Sequence, residues 1–301
     1  MPNRNKRKPK QREELGLFRN LKGYVDSVAR GEMRKGRIYS LCVRASFAKC
    51  YEFNIHAWDD NNTETIFFWL PTLRGICEDL IVLNYIQSIP SKERESLVSG
   101  LMRHDLQDRL RTQYAFFKHS RPQQPVLGPS LTTSQLNTLE NDIRNIWQAH
   151  GWPNMNRNVM PPIRQMAEKH RGEMLATLYD YLYRLTSGMV HFNVSGLLRT
   201  GWGDLPHCTF SPTHFYLYCG MFGRVYGAFM FCSYFELFAR FLRTDDNVKN
   251  TVNAIRQAIL REPRWPEMIT PEEMNIEPPK IGVLQHVFSI MQSESEKRLL
   301  K

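Results

Sequence analysis

The chain has 301 residues, 42% of them hydrophobic and 12% aromatic, which is enough to bury a full core and excludes a disordered polypeptide. Its formal net charge is +10, and six of those charges (Arg4, Lys6, Arg7, Lys8, Lys10 and Arg12) fall in residues 1–12 with no acid among them. The six cysteines form no Cys-x-x-Cys pair, and they read as buried thiols of a reducing, cytoplasmic setting rather than as a zinc knuckle or a disulfide framework.

Residues 1–12 are expected to be a disordered basic arm, because nothing apolar anchors them. Such an arm attracts phosphate, so it is a candidate nucleic-acid contact; the alternative is a solvated tail. No secretory signal is expected, because residues 1–12 lack an apolar core. Behind the arm, residues 13–301 read as a single helical domain, with candidate division points near 119–132 and 201–213.

Leu17, Phe18, Leu21, Val25 and Val28 recur at steps of three and four, a helical stripe. A long helix is expected over Ile38–Trp58, and then Asp59, Asp60, Asn61 and Asn62 break the chain. Helix resumes over 63–88, where Pro71 must kink or restart it. A charged helix follows over 91–118. Pro122, Pro125, Gly128 and Pro129 make 119–132 a loop, and Thr132 with Gln135 forms a capping box for the next helix. Leu136, Leu139, Ile143, Ile146 and Trp147 mark the buried face of that helix. Pro153, Pro161 and Pro162 make 151–162 a second loop. Leu175, Leu178, Leu182 and Leu185 then line one helix face. Residues 201–213 read as irregular.

Residues 215–241 are the one stretch to weigh as membrane-spanning. The charge-free run inside it, 225–235, is 11 residues long, where a bilayer needs roughly 20. It reads instead as the buried central helix of the core, and no membrane partner is expected. Asp245 and Asp246 can cap the next helix, to about Arg261. Thr270, Pro271 and Glu273 suggest a further helix start, and 281–300 closes the chain. The expected fold class is all-α, a multi-helix bundle with a buried apolar helix and Pro-rich connecting loops.

Phosphate-loop and dinucleotide-fold chemistry is excluded, since no Gly-x-Gly-x-x-Gly or Gly-Lys-Ser/Thr occurs. His207, Cys208 and His214 share one segment but make a poor zinc set, so neither metal nor cofactor is expected. Arg74 and Glu78 are four apart on an apolar helix, spaced to pair. The pair is either an internal packing device or a group that positions catalytic side chains. Residues 183–193 hold Tyr183, Arg184, Ser187, His191 and Asn193. On a continuous helix Arg184 and His191 are two turns apart, about 10 Å along one face. Gly188 with Thr186 and Ser187 suggests a helix break instead. A histidine can take a proton from an RNA 2′-hydroxyl or return one to a leaving oxygen, and an arginine can hold the phosphate. The competing reading of His191 is a buried side chain satisfied by backbone or by Glu78.

Three pairs have the arginine six or seven residues ahead of a histidine: Arg144 with His150, Arg164 with His170, and Arg184 with His191. The last, at the end of an apolar helix, resembles the Arg-x4–6-His motif of the HEPN superfamily, with Leu185 where that family carries a polar residue. Residues 73–78 and 183–191 together also resemble a broad group of helical bacterial proteins that pair an Arg-x3-Glu helix with a later histidine segment. The resemblance implies a metal-independent endoribonuclease of a bacterial defence or toxin system, acting as a homodimer on RNA and leaving 2′,3′-cyclic phosphate ends. It further implies a cognate antitoxin or defence-system partner protein. Arg184 and His191 would be catalytic, with Arg74, Glu78, Tyr183, Ser187 and Asn193 as supporting or substrate-positioning residues. The alternative is a non-catalytic helical scaffold that binds a protein or an RNA.

Overall fold

The computed structural model describes residues 8–30, 36–59, 64–119, 126–155, 158–169, 173–270 and 280–299. About three quarters of the structure is helical, with one small sheet. The helices are α1 (Lys8–Asn20), α2 (Lys22–Ala29), α3 (Ile38–Trp58), α4 (Ile66–Trp69), α5 (Thr72–Gln87), α6 (Ser91–His119) and α7 (Thr133–Ala149). They continue as α8 (Ile163–Lys169), α9 (Glu173–Val190), α10 (Val194–Arg199), α11 (Tyr216–Leu237), α12 (Ala239–Leu242), α13 (Asp246–Leu260) and α14 (Val283–Leu299). The chain forms two compact units: residues 1–30, 44–80 and 174–301 make the first, and 31–43 with 81–173 the second. None of the four points where the chain passes from one unit to the other falls in 119–132 or 201–213.

The first unit is organised on α11. Thirteen of its residues are buried, from Cys219 to Tyr234, and they surround the helix rather than striping one face. Phe231 packs edge-on to Phe18 of α1 and stacks with Phe47 of α3, at ring separations of 5.2 and 5.4 Å. Close approach of α3 depends on Gly227, where a Cβ would stand 2.8 Å from the Phe53 ring. The same glycine's carbonyl accepts a 3.0 Å hydrogen bond from the buried Asn54 amide. Tyr234 and Ser46 share a short hydrogen bond, and the Ser46 hydroxyl donates to Asp79 at 3.1 Å. Asp245 caps α13 through a 2.8 Å bond from the Val248 amide. No helix among the described residues is long and apolar enough to cross a membrane.

In the second unit α6 and α7 pack closely enough at Gly100 that a Cβ there would meet Ile143 at 2.9 Å. The capping box at Thr132 and Gln135 is present in both directions. Trp147 is fully buried, and its indole N–H donates to the Val159 carbonyl at 3.0 Å. Gln107, buried, holds the loop before α7 by accepting from the amides of Ser130 and Leu131.

Several details differ from the sequence reading. Lys8–Asn20 is helical, so Lys8, Lys10 and Arg12 do not belong to a disordered arm; Lys, Gln, Arg and Glu propagate helix well, and Pro9 sits in the first turn where it costs little. Arg4, Lys6 and Arg7 lie outside the described residues. At Pro71 the expectation of a kink or a restart resolves as a restart, with α4 ending at Trp69 and α5 beginning at Thr72. Residues 201–213 are ordered as β1 (Gly201–Asp204), β2 (Thr209–Phe210) and a 3-10 turn, Pro212–Phe215. With β3 (Lys280–Gly282) these strands make an antiparallel sheet of order β2-β1-β3, pairing Trp202 with Thr209 on one side and Gly282 on the other. Strands of two to four residues are too short to show a period of two in sequence. The expected helix start at Pro271 and Glu273 lies outside the described residues.

Candidate functional site

The site is built on α9 and the turn that follows it. Leu175, Leu182 and Leu185 are buried and hold the helix to the first unit. On the same helix Tyr181 stacks on Phe222 of α11, and its hydroxyl donates to the Pro266 carbonyl at 3.0 Å. The helix does not break at Gly188. Thr186 satisfies its hydroxyl inside the helix by donating to the Leu182 carbonyl at 2.7 Å, so it does not compete for the backbone. The His191 amide still bonds to the Ser187 carbonyl at 2.9 Å, just beyond the last helical residue. Arg184 and His191 therefore follow the continuous-helix alternative, two turns apart on one face.

Beyond His191 the chain reverses into α10. Asn193 caps that helix, its side-chain oxygen accepting from the Gly196 amide at 2.8 Å. Gly196 lies against the backbone of Gly188, where a Cβ would stand 2.5 Å from the Gly188 carbonyl oxygen. Asn193 and Gly196 are thus the residues that shape the turn presenting His191.

The side chains of Arg184 and His191 are both exposed, and among the described residues neither has a hydrogen-bonding or ionic partner. The reading of His191 as a buried histidine satisfied by Glu78 is thereby corrected. Glu78 is taken by others: Arg74 Nε donates to it at 2.8 Å and the Tyr179 hydroxyl at 3.3 Å. The Arg74 guanidinium also lies 4.3 Å over the Tyr183 ring. Helix α5 and helix α9 are tied together by this group of four, which brings the Arg-x3-Glu segment to the residue preceding Arg184. Burial, and then the Glu78 carboxylate, raise the Tyr179 phenol above its usual range. Burial pushes the neighbouring Cys77 thiol up to about 12.

The other two arginines at this spacing are engaged. Arg144 donates to Glu140 at 2.6 Å and to Asn141, and Arg164 to Glu168 at 3.1 Å. His150 lies 2.7 Å from Glu93, while His170 is outside the described residues. His207, Cys208 and His214 form no metal-binding group: His214 Nδ1 is 2.8 Å from the Thr200 carbonyl oxygen, and no cluster of three candidate ligands exists among the described residues.

A cavity of about 300 Å³ adjoins the site, and Arg184, Leu185, Gly188 and Asn193 all line it. Arg199, Phe215, Leu284, Gln285 and Phe288 line it too, and sequence reasoning found none of them. They come from three separate elements late in the chain, and no spacing in the sequence connects them.

A family model described as a family of unknown function (DUF5677) matches residues 69–204. The match takes in Arg74, Glu78, Tyr183, Arg184 and His191 and stops well short of Gln285. No curated protein and no solved structure matches the chain.

Proposed function

We propose that the chain is a HEPN-like endoribonuclease that works as a dimer, with Arg184 and His191 as its reacting groups. One observation carries this reading. Of the three arginines at the required spacing, only Arg184 is left without an ionic partner among the described residues, and its histidine is exposed two turns further along the same face. Unpaired, exposed groups of this kind are not serving the fold, and they are free to meet a phosphate.

The chemistry uses only side-chain groups. His191 of one protomer takes the 2′-hydroxyl proton, the 2′-oxygen forms a bond to phosphorus, and the bond to the 5′-oxygen breaks. The corresponding histidine of the second protomer supplies the proton to that leaving oxygen. The products are a 2′,3′-cyclic phosphate and a 5′-hydroxyl. Arg184 balances the charge that builds on the phosphoryl oxygens.

Support for a dimer comes from what surrounds the pair. Tyr183, Val190, Phe192, Val194 and Leu197 are all exposed, Phe192 to 86%, and they cluster in sequence around His191. Apolar exposure of this density marks a protein-interaction surface. A second reading, a non-catalytic scaffold that binds RNA or protein, is favoured by one feature: no partner among the described residues fixes the tautomer of the His191 ring. The two readings separate when total RNA is incubated with the protein in EDTA and the ends are analysed. Cyclic phosphate ends support the nuclease. Bound but intact RNA supports the scaffold.

A further inference from the structure

The cavity of about 300 Å³ opens beside the proposed reacting pair. Arg184, Asn193 and Ser195 line it and are exposed, whereas Leu185, Cys219 and Leu284 line it and are buried. Its mouth is therefore at the arginine to which the nuclease reading assigns the phosphate, and its floor is apolar.

Three phenyl rings from separate elements line the space between: Phe67 of α4, Phe215 of the 3-10 turn and Phe288 of α14, each of them partly exposed. Rings left partly open around a cavity are surfaces for a flat partner, and unpaired nucleobases are held by stacking on aromatic side chains. Arg199 adds a second cation to the lining, its guanidinium 4.8 Å over the Tyr218 ring, and no acid lines the cavity among the described residues. A polyanion thus meets no repulsion at the mouth.

Connectivity decides which part of an RNA reaches the rings. A base is joined to its phosphate through a single sugar, so a phosphate on Arg184 leaves the adjoining base next to the cavity that the same arginine lines. The volume, at the small end of the range for ligand sites, suits one base and excludes a duplex. Only a base outside a paired stack can enter.

We infer that this cavity takes the unpaired base adjoining the scissile phosphate, which makes single-stranded RNA the substrate class and gives the cut a base preference. The inference rests on the nuclease reading for its RNA, but nucleotide binding can be measured with no cleavage, so the two can fail separately.

The test is calorimetric titration of the full chain at low salt with the four common nucleoside 3′- and 5′-monophosphates and with ribose 5-phosphate, which carries the phosphate but no base. At least one nucleotide should bind roughly 5–100-fold tighter than ribose 5-phosphate, the usual worth of one stacked base. Phe288→Leu keeps apolar bulk and removes a ring, so it should bring that nucleotide toward ribose 5-phosphate and leave ribose 5-phosphate itself unchanged. Phe67→Leu, on a different element, carries the same comparison if Phe288→Leu fails to fold. Arg184→Gln should weaken nucleotide and ribose 5-phosphate alike. Sequenced cleavage ends should map to unpaired positions with one base enriched beside the cut, and the enrichment should fall in Phe288→Leu. Nucleotides that bind no tighter than ribose 5-phosphate would overturn the base site and leave the nuclease standing, as would ends drawn equally from duplex RNA or without base preference. Nucleotide affinity unchanged in both ring variants would also overturn it. Nucleotide selectivity without any RNA cleavage would support the base site and sink the nuclease.

Discussion

The Arg74 guanidinium lies 4.3 Å over the ring of Tyr183, and the same arginine pairs with Glu78 at 2.8 Å. One side chain thus joins an ion pair on α5 to an aromatic ring on α9, next to Arg184. About a quarter of each charged side chain remains exposed, so the pair is neither a solvated surface bridge nor a fully buried one. Glu78→Gln should cost about 1 kcal/mol in urea unfolding, because it leaves Arg74 packed on the ring without its countercharge. Arg74→Lys should also destabilise, by about 0.5–1 kcal/mol, since an ammonium cannot stack as a guanidinium does. Unchanged stability in both variants would show that the group does not hold α5 to α9.

At Thr132 the capping box predicts a separate loss. The hydroxyl accepts from the Gln135 amide at 3.3 Å, and the Gln135 side chain accepts from the Thr132 amide at 2.9 Å. Thr132→Ala should lower stability by about 1 kcal/mol, with Thr132→Ser close to wild type. Equal losses in the two variants would mean that the hydroxyl bond is not what matters.

The turn carrying His191 depends on the missing side chain of Gly196. A Cβ on Gly196 would stand 2.5 Å from the Gly188 carbonyl oxygen, a backbone atom that cannot swing away. Gly196→Ala should therefore cost about 1–3 kcal/mol. Gly16, with nothing within 4 Å of its would-be Cβ, should accept alanine without loss and serves as the control. Thermal midpoints of the two variants make the comparison, and equal values would contradict the close approach.

Buried thiols set the alkaline limit. Burial pushes Cys77 and Cys232 up to about 12, against an ordinary value of 9.0. Between those values the folded chain keeps protons that the unfolded chain has released. The contribution to stability is therefore fully present below about pH 9 and is lost as pH rises toward 12, by about 1.4 kcal/mol per pH unit for each thiol. Urea midpoints measured at several pH values above 9 should fall steeply. Cys77→Ala should start lower, because it leaves a gap, but decline more gently. Parallel curves would show that the Cys77 thiol ionises in the folded state as readily as in the unfolded one.

Helices were legible wherever apolar residues recur over many turns, and Ile38–Trp58 has the expected bounds because Ile38, Trp58 and the polar run after it mark both ends. Asp245 and Thr132 announced their helix starts through side chains that cap locally. The sheet was not legible, since its pairings join Trp202 to Gly282 across eighty residues and leave no local period. The Arg74–Glu78 pair could be read from a spacing of four, whereas its stacking on Tyr183 could not, because that contact exists only once α5 and α9 are packed. Gly188 misled in the direction of a helix break: α9 runs straight through it, and a Cβ there would meet Asn193 and Gly196 only at ordinary contact distances of 3.6 and 3.7 Å. The cavity was invisible in sequence for the same reason as the sheet, with Arg184, Phe215 and Gln285 meeting only in the folded chain.

The most direct measurement is cleavage of total RNA in EDTA by the wild type and by His191→Ala, Arg184→Ala and His150→Ala, each checked for unchanged circular dichroism. The account predicts that the wild type releases 2′,3′-cyclic phosphate ends and that His191→Ala and Arg184→Ala each lose roughly 10²–10⁴-fold in rate. His150→Ala, whose ring is already engaged by Glu93, should retain cleavage. Wild-type protein that binds RNA and leaves it intact would contradict the nuclease and favour the scaffold, and a fully active His191→Ala would remove this histidine from the chemistry.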